Sequence, residues 1–148
     1  MVYVREFKAS DFKAFVPIEP MEADGFGPEF AKCIEKSELA ITGIRNGKIV
    51  GCGGVHPLED RPGDGEIWLR LDADSKKHPF DTLRWLRDGL EIIEETFPFE
   101  KLHATMRGCF AKGIKLVEHL GFVKGKCIEH EGQDWFVYSK EIKCRQHC

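Results

Sequence analysis

The sequence predicts one α+β domain built on a mixed β-sheet, and three observations carry that expectation. Asn46-Gly47 separates two apolar runs and signals a tight hairpin, because a type I′ turn needs positive φ at both central residues. After Pro79, the residues Phe80, Leu83, Leu86, Leu90, Ile93 and Phe97 recur at spacings of three and four, the pattern of a long helix lying against a sheet. Strand-like segments are joined partly by hairpins and partly by helices. Hairpins require antiparallel neighbours and helical crossovers parallel ones, so the sheet must be mixed.

In chain order, Val2 to Glu6 reads as a strand, and Ser10 or Asp11 is placed to cap a short helix carrying Phe12, Phe15 and Val16. Pro17 and Pro20 end it. Met21 to Pro28 is a loop, and Pro28 opens a second short helix through Ser37, with Phe30, Cys33 and Ile34 on one face. The hairpin arms are Leu39 to Arg45 and Lys48 to Val55. Glycine is frequent in the second arm, which weakens a strand unless something approaches its backbone, and a packed helix is the expected neighbour. After the loop His56 to Asp64 comes an alternating strand from Glu66, then the long helix stopped by Pro98, then the strand Lys101 to Met106. A further helix buries Phe110, Ile114, Val117 and Leu120 and closes on Gly121 as a left-handed cap. Phe122 to Glu129 and Gln133 to Ile142 form a last hairpin across His130-Glu131-Gly132.

Composition narrows the function classes. The 148 residues are enough for a single domain spanning 1–148, and 42% hydrophobic content with 11 Phe and 3 Trp fills one interior. With 22 basic against 25 acidic residues the net charge is -3, so no global field draws the chain to nucleic acid or to an anionic membrane. Met1-Val2-Tyr3-Val4 runs directly into Arg5 and Glu6, and no apolar run approaches membrane-spanning length, so a cytoplasmic protein is expected. The six cysteines are mostly scattered singly, which favours buried free thiols over disulfides. Cys144, His147 and Cys148 offer at most three clustered ligands, two of them adjacent, and no metal site is predicted.

The chain is organised around Gly65 to Phe97. A strand runs into the cationic turn Ser75-Lys76-Lys77-His78 and then into a helix start, an arrangement suited to anions because the helix dipole and unpaired N–H groups favour them.

The order of elements, together with Leu116-Val117-Glu118-His119-Leu120-Gly121-Phe122, resembles the GCN5-related N-acetyltransferase (GNAT) superfamily, whose penultimate helix typically ends in a LYEKLGF phrase. The opening VREFKASDF is similar to small chains of this type in bacteriophages, some of them virion components. The resemblance implies a mostly antiparallel central sheet with helices on both faces, a three-layer α/β/α structure. It also implies acetyl-CoA as cosubstrate, with its pantetheine arm along the backbone of Leu69, Arg70, Leu71 and Ala73. The pyrophosphate would then sit at Lys76, Lys77 and His78. The family's Q/R-x-x-G-x-G/A motif falls on Lys76 to Asp81, where neither glycine is present, Pro79 has no N–H, and Asp81 adds negative charge. Side-chain charge from the turn replaces only part of the amide cradle, so weak or absent cofactor binding is the expectation.

Val117 stands where many members carry an acid-donating Tyr, Phe110 falls near the place of a frequent Asn, and Gly113 replaces a small Ala. Glu66 matches the position of a general base, and His56, ending the adjacent strand, is a second candidate. Two functions follow from the resemblance: acetyl transfer to a small-molecule or protein amine, or a catalytically inactive domain of the same fold used as a binding or structural module. A homodimer is a further expectation, through Trp85, which lies off the apolar stripe, or through Gln133 to Ile142 as an edge strand.

Overall fold

The computed structural model describes residues 1–18, 34 and 37–142. The expected helix from Pro28 to Ser37 and the Cys/His tail lie almost wholly outside them. The described strands are β1 (Tyr3–Glu6), β2 (Leu39–Arg45), β3 (Lys48–Pro57), β4 (Asp64–Leu71), β5 (Lys101–Arg107), β6 (Val123–His130) and β7 (Gln133–Glu141). Two helices, α1 (Pro79–Thr96) and α2 (Ala111–His119), and two short 3₁₀ turns, Ala9–Lys13 and Ala73–Lys77, complete the described chain.

The strands form one seven-stranded sheet in the order β1-β2-β3-β4-β5-β7-β6. Every pairing is antiparallel except β4 with β5, the two strands joined by the α1 crossover. Both hairpins close on left-handed residue pairs, Asn46 (φ 51°) with Gly47 (φ 76°) and Glu131 (φ 52°) with Gly132 (φ 75°). The mixed, mostly antiparallel α+β fold expected from the sequence is the one observed.

Both described helices lie on one face of the sheet. Leu90 and Ile93 of α1 and Val117 of α2 pack with Val55, Leu102, Ala104 and Tyr138 from the strands. On the opposite face Phe15, Cys52 and Trp68 form a smaller cluster with Phe7, Phe12 and Ile34 around it.

Several expectations are corrected by packing. Trp85 is 4% exposed, whereas Phe80, assigned to the buried stripe, is 84% exposed. The face of α1 that meets the sheet runs through Trp85, Gly89, Leu90 and Ile93, with Gly89 over Ile41, and Phe80 in the first turn is left in solvent. Trp85 is therefore not a docking residue. Nor is β7 an edge, since β5 and β6 flank it on both sides, and β6 is the edge strand. The glycines of β3 answer to neighbouring strands rather than to a helix: a methyl group at Gly51 would come within 2.7 Å of the Arg70 carbonyl oxygen, and one at Gly54 would strike that of Leu39. Among the described cysteines, all free, only Cys52 is buried; Cys109 and Cys127 are exposed.

Candidate functional site

The parallel pairing of β4 with β5 is short. It runs Asp64 with Lys101, Gly65 with Leu102 and Glu66 with His103, and then the strands part. Beyond that rung β4 stays paired to β3 as far as Leu71, and β5 to β7 as far as Arg107. Each diverging strand thus turns one edge of its backbone toward the gap, and such an edge requires a partner from solvent, side chain or ligand. The gap opens into a cleft of about 740 Å³ lined from both faces of the sheet. Ile67, Leu69 and Met106 line it on the helix side, Glu66, Thr105 and Trp135 on the other.

Strand geometry fixes which carbonyls face the cleft. Trp68 and Arg70 direct theirs at β3, where methyl groups at Gly53 and Gly51 would meet them at 3.2 and 2.7 Å. By alternation, Ile67, Leu69 and Leu71 face the gap. The Leu69 oxygen accepts from Arg70 Nη1 at 2.8 Å, and the Leu71 oxygen from the Ile18 amide at 2.8 Å. Ala73 donates to the Val16 oxygen at 2.7 Å and does not line the cleft. Of the backbone expected to receive a pantetheine arm, Leu69 and Leu71 face the gap, whereas Arg70 turns its backbone to β3 and brings only its side chain to the cleft, and part of the edge is taken by the segment Val16 to Ile18. Sequence reasoning missed that segment because the contact joins residues more than fifty positions apart.

The cationic turn is divided. Lys76 lines the cleft with Ser75, Pro79 and Thr82. Lys77 is 78% exposed with Nζ 3.7 Å from Asp74, which also holds Lys48 at 3.0 Å, and neither Lys77 nor His78 is among the lining residues. Pro79 is the first residue of α1, so one of the helix's unpaired amides is missing. The Asp81 carboxylate sits 3.8 Å from Arg45 and is outside the lining, which removes the repulsion its position in the sequence suggested.

The opposite wall adds charge that the sequence did not reveal. Lys112 and Lys115, one turn apart on α2, line the cleft, as do Arg70 and Arg107. With Lys76 these cations face two carboxylates among the described lining residues, Glu66 and Glu131, in a chain whose net charge is -3. The sole sequence signal for the two lysines was their place on the polar side of a helix, which is also the signature of a solvated face.

At the apex, one rung crosses four strands: His56 opposite Glu66, Glu66 beside His103, and His103 opposite Ser139. His56 Nε2 lies 3.9 Å from Glu66 Oε1, and both residues line the cleft. His56 Nδ1 is buried and makes no hydrogen bond within the described structure. The buried His103 is held at both nitrogens, Nε2 at 2.8 Å from Asp64 Oδ2 and Nδ1 at 2.8 Å from Ser139 Oγ. With the Asp64 carboxylate as acceptor, Nε2 carries hydrogen, and in the neutral ring Nδ1 accepts from the serine hydroxyl. Nothing in the spacing of Asp64, His103 and Ser139 announced this chain. Val117, at the expected acid position, is packed into the core, and Tyr138, whose phenol burial and then the Glu118 charge push upward in pKa, is not at the cleft.

The residues present fit a thioester cosubstrate bearing phosphates. The cleft supplies two strand edges for an amide-containing arm, and Lys76, Lys112 and Lys115 supply charge. The fit differs from an amide cradle, because side chains replace most of the backbone donors.

No family model and no curated protein sequence matches the chain. Solved structures do. An acetyltransferase of the GNAT family from Streptococcus pneumoniae is 15% identical, with 97% of this chain and 100% of that one covered and a TM-score of 0.75. A ribosomal-protein-alanine N-acetyltransferase from Brucella melitensis is 15% identical over 94% and 99% of the two chains, with a TM-score of 0.69. A spermidine N-acetyltransferase chimera from Vibrio cholerae and hSSAT is 15% identical over 95% of each, with a TM-score of 0.67. At such identities the likeness establishes architecture. The chain has the fold of the GCN5-related N-acetyltransferases along nearly its whole length.

Proposed function

We propose that the chain moves an acetyl group from acetyl-CoA to an amine, with Glu66 as general base and His56 beside it. The observation that carries this reading is the cleft through the sheet: the two parallel strands part immediately after a rung bearing a carboxylate and an imidazole. Acetyl-CoA supplies the activated acyl group as a thioester. A primary amine near pH 7 is largely protonated, since an unperturbed alkylammonium titrates near about 10.4, so it must lose a proton before it can attack. Glu66 accepts that proton directly or through one water, and His56 at 3.9 Å shares the charge. The new C–N bond forms as the C–S bond breaks, and the thiolate takes its proton from solvent, because no phenol lines the cleft. Lys76, Lys112 and Lys115 hold the phosphates, and the backbone of Ile67 to Leu71 receives the arm, with Arg70 releasing the Leu69 carbonyl.

Titration calorimetry with acetyl-CoA tests the reading. Saturable heat and a raised unfolding temperature are expected, since a ligand at about 100 times its Kd adds about 2.7 kcal/mol of stability. The absence of both at millimolar acetyl-CoA overturns it. The second reading is an inactive domain of the same fold. It is favoured by the occupied cleft edge, where Arg70 and Ile18 already bond the Leu69 and Leu71 carbonyls. The same titration separates the two.

A further inference from the structure

We propose that the donor site continues past the acetyl position into an apolar chamber, and that it takes straight-chain acyl thioesters longer than acetyl. This rests on the acetyl-transfer reading and adds the donor's chemistry to it. Both helices begin at the open end of the cleft, α1 after the turn that follows Leu71 and α2 after Arg107, and both run back toward the rung where β4 and β5 stop pairing. Lys76, Lys112 and Lys115 therefore lie at the open end, while the later turns of the two helices pack over the apex. There Leu90 and Ile93 of α1, Val117 and Leu120 at the end of α2, and Ile67 and Ala104, the first residue of each strand beyond the rung, all line the cleft.

Leu90, Ile93, Ala104 and Val117 are buried, and a core of such residues ordinarily closes on itself at the density of an organic crystal. Here the same side chains bound a space continuous with the cleft, and none of them carries a polar atom. Water held there lacks side-chain partners, so an alkyl chain entering the chamber displaces no hydrogen bond that it must replace. Val117 matters most to this character: where the resemblance implies a phenol, it leaves an aliphatic wall. Direction selects the occupant. The amine is deprotonated on the Glu66 face, whereas Ile67 and Ala104 stand on the helix face, because side chains alternate along each strand. A thioester carbon held in the gap beside Ile67 is thus open to the amine from one face while its alkyl tail leaves by the other. The transfer is unchanged: the C–N bond forms, the C–S bond breaks, and the longer chain passes to the amine with its carbonyl.

Titration calorimetry of the full chain with acetyl-, butyryl-, hexanoyl- and octanoyl-CoA reads the chamber without requiring the acceptor. A buried methylene is worth about fourfold in affinity, so hexanoyl-CoA should bind at least about tenfold more tightly than acetyl-CoA. Val117→Phe and Ala104→Leu fill the chamber from a helix and from a strand, and each should lower the ratio of hexanoyl-CoA to acetyl-CoA affinity about tenfold. Because the two changes lie on different elements, failure of one variant to fold leaves the other as the test. Equal or tighter binding of acetyl-CoA by the unaltered chain overturns the proposal and leaves acetyl transfer standing. So does a preference for hexanoyl-CoA that the filled variants retain, which places the tail elsewhere on the protein. No heat with any of these thioesters overturns both readings.

Discussion

His103 Nε2 lies 2.8 Å from Asp64 Oδ2, and this contact joins β4 to β5 at the end of their short parallel pairing. Ser139 on β7 holds the other ring nitrogen, so one buried imidazole ties three strands where the sheet splits. His103→Ala leaves a partly buried carboxylate and a serine hydroxyl without their partner, and a cavity as well. It should cost about 2–4 kcal/mol in urea unfolding, and Ser139→Ala about 1 kcal/mol. An unchanged midpoint for His103→Ala would show that the contact contributes nothing.

Glu66→Gln removes the base without changing its shape. Transfer should slow by about 10²-fold while acetyl-CoA affinity is unaltered, and His56→Gln should have a smaller effect. Stopped-flow or steady-state kinetics beside calorimetry decide it, and an unaffected rate in Glu66→Gln removes the residue from the chemistry.

Lys112 and Lys115 line the cleft and Lys77 does not. The double change Lys112→Ala with Lys115→Ala should weaken acetyl-CoA binding by several-fold, at about 0.2–1 kcal/mol per solvent-accessible contact, and more at low salt. Lys77→Ala should leave it as it was. The reverse pattern would return the phosphates to the turn.

Acid should destabilise the fold through Asp11. Burial of this 3% exposed carboxyl pushes its pKa up, but hydrogen bonds from Arg5, Thr42 and the Lys8 amide outweigh that and hold it lowered to about 2 from 3.8. A depressed folded-state pKa gives stability that is complete above the unfolded value and is lost as pH falls through the folded one. On the order of 2 kcal/mol should therefore disappear between about pH 4 and pH 2. Asp11→Asn should unfold at lower denaturant at neutral pH and lack this component of the acid transition; an identical pH profile would refute the assignment.

The thiols should separate by reactivity. Burial pushes Cys52 up to about 11 although its hydrogen-bond contact with Thr42 acts in the opposite direction, and it has no solvent exposure, whereas Cys109 and Cys127 are exposed. Native-state alkylation read by peptide mass spectrometry should modify Cys109 and Cys127 and spare Cys52 until the protein unfolds. Early labelling of Cys52 would contradict its burial.

The hairpins at Asn46-Gly47 and Glu131-Gly132, the Gly121 cap and the start of α1 at Pro79 were legible in the sequence, because each is imposed by the sterics of one or two adjacent residues. Glu66 was legible as a candidate through the family resemblance, and His56 because it ends the adjacent strand. The burial of Trp85 and exposure of Phe80 were not, since the helical period puts Phe80 on the apolar stripe and Trp85 off it, and only the packing of α1 on the sheet reverses them.

By itself the sequence determined the order of the elements, the mixed sheet and the cationic turn between β4 and α1. All of these depend on local conformational preference and hydrophobic period. Only the tertiary structure decided where those charges lie: Lys76 lines the cleft, Lys77 lies beside Asp74, and Lys112 and Lys115 line the cleft from another helix. A cleft between parting strands belongs to no single segment. Its walls are set by where β4 and β5 stop pairing, and that is a property of packing across the whole sheet.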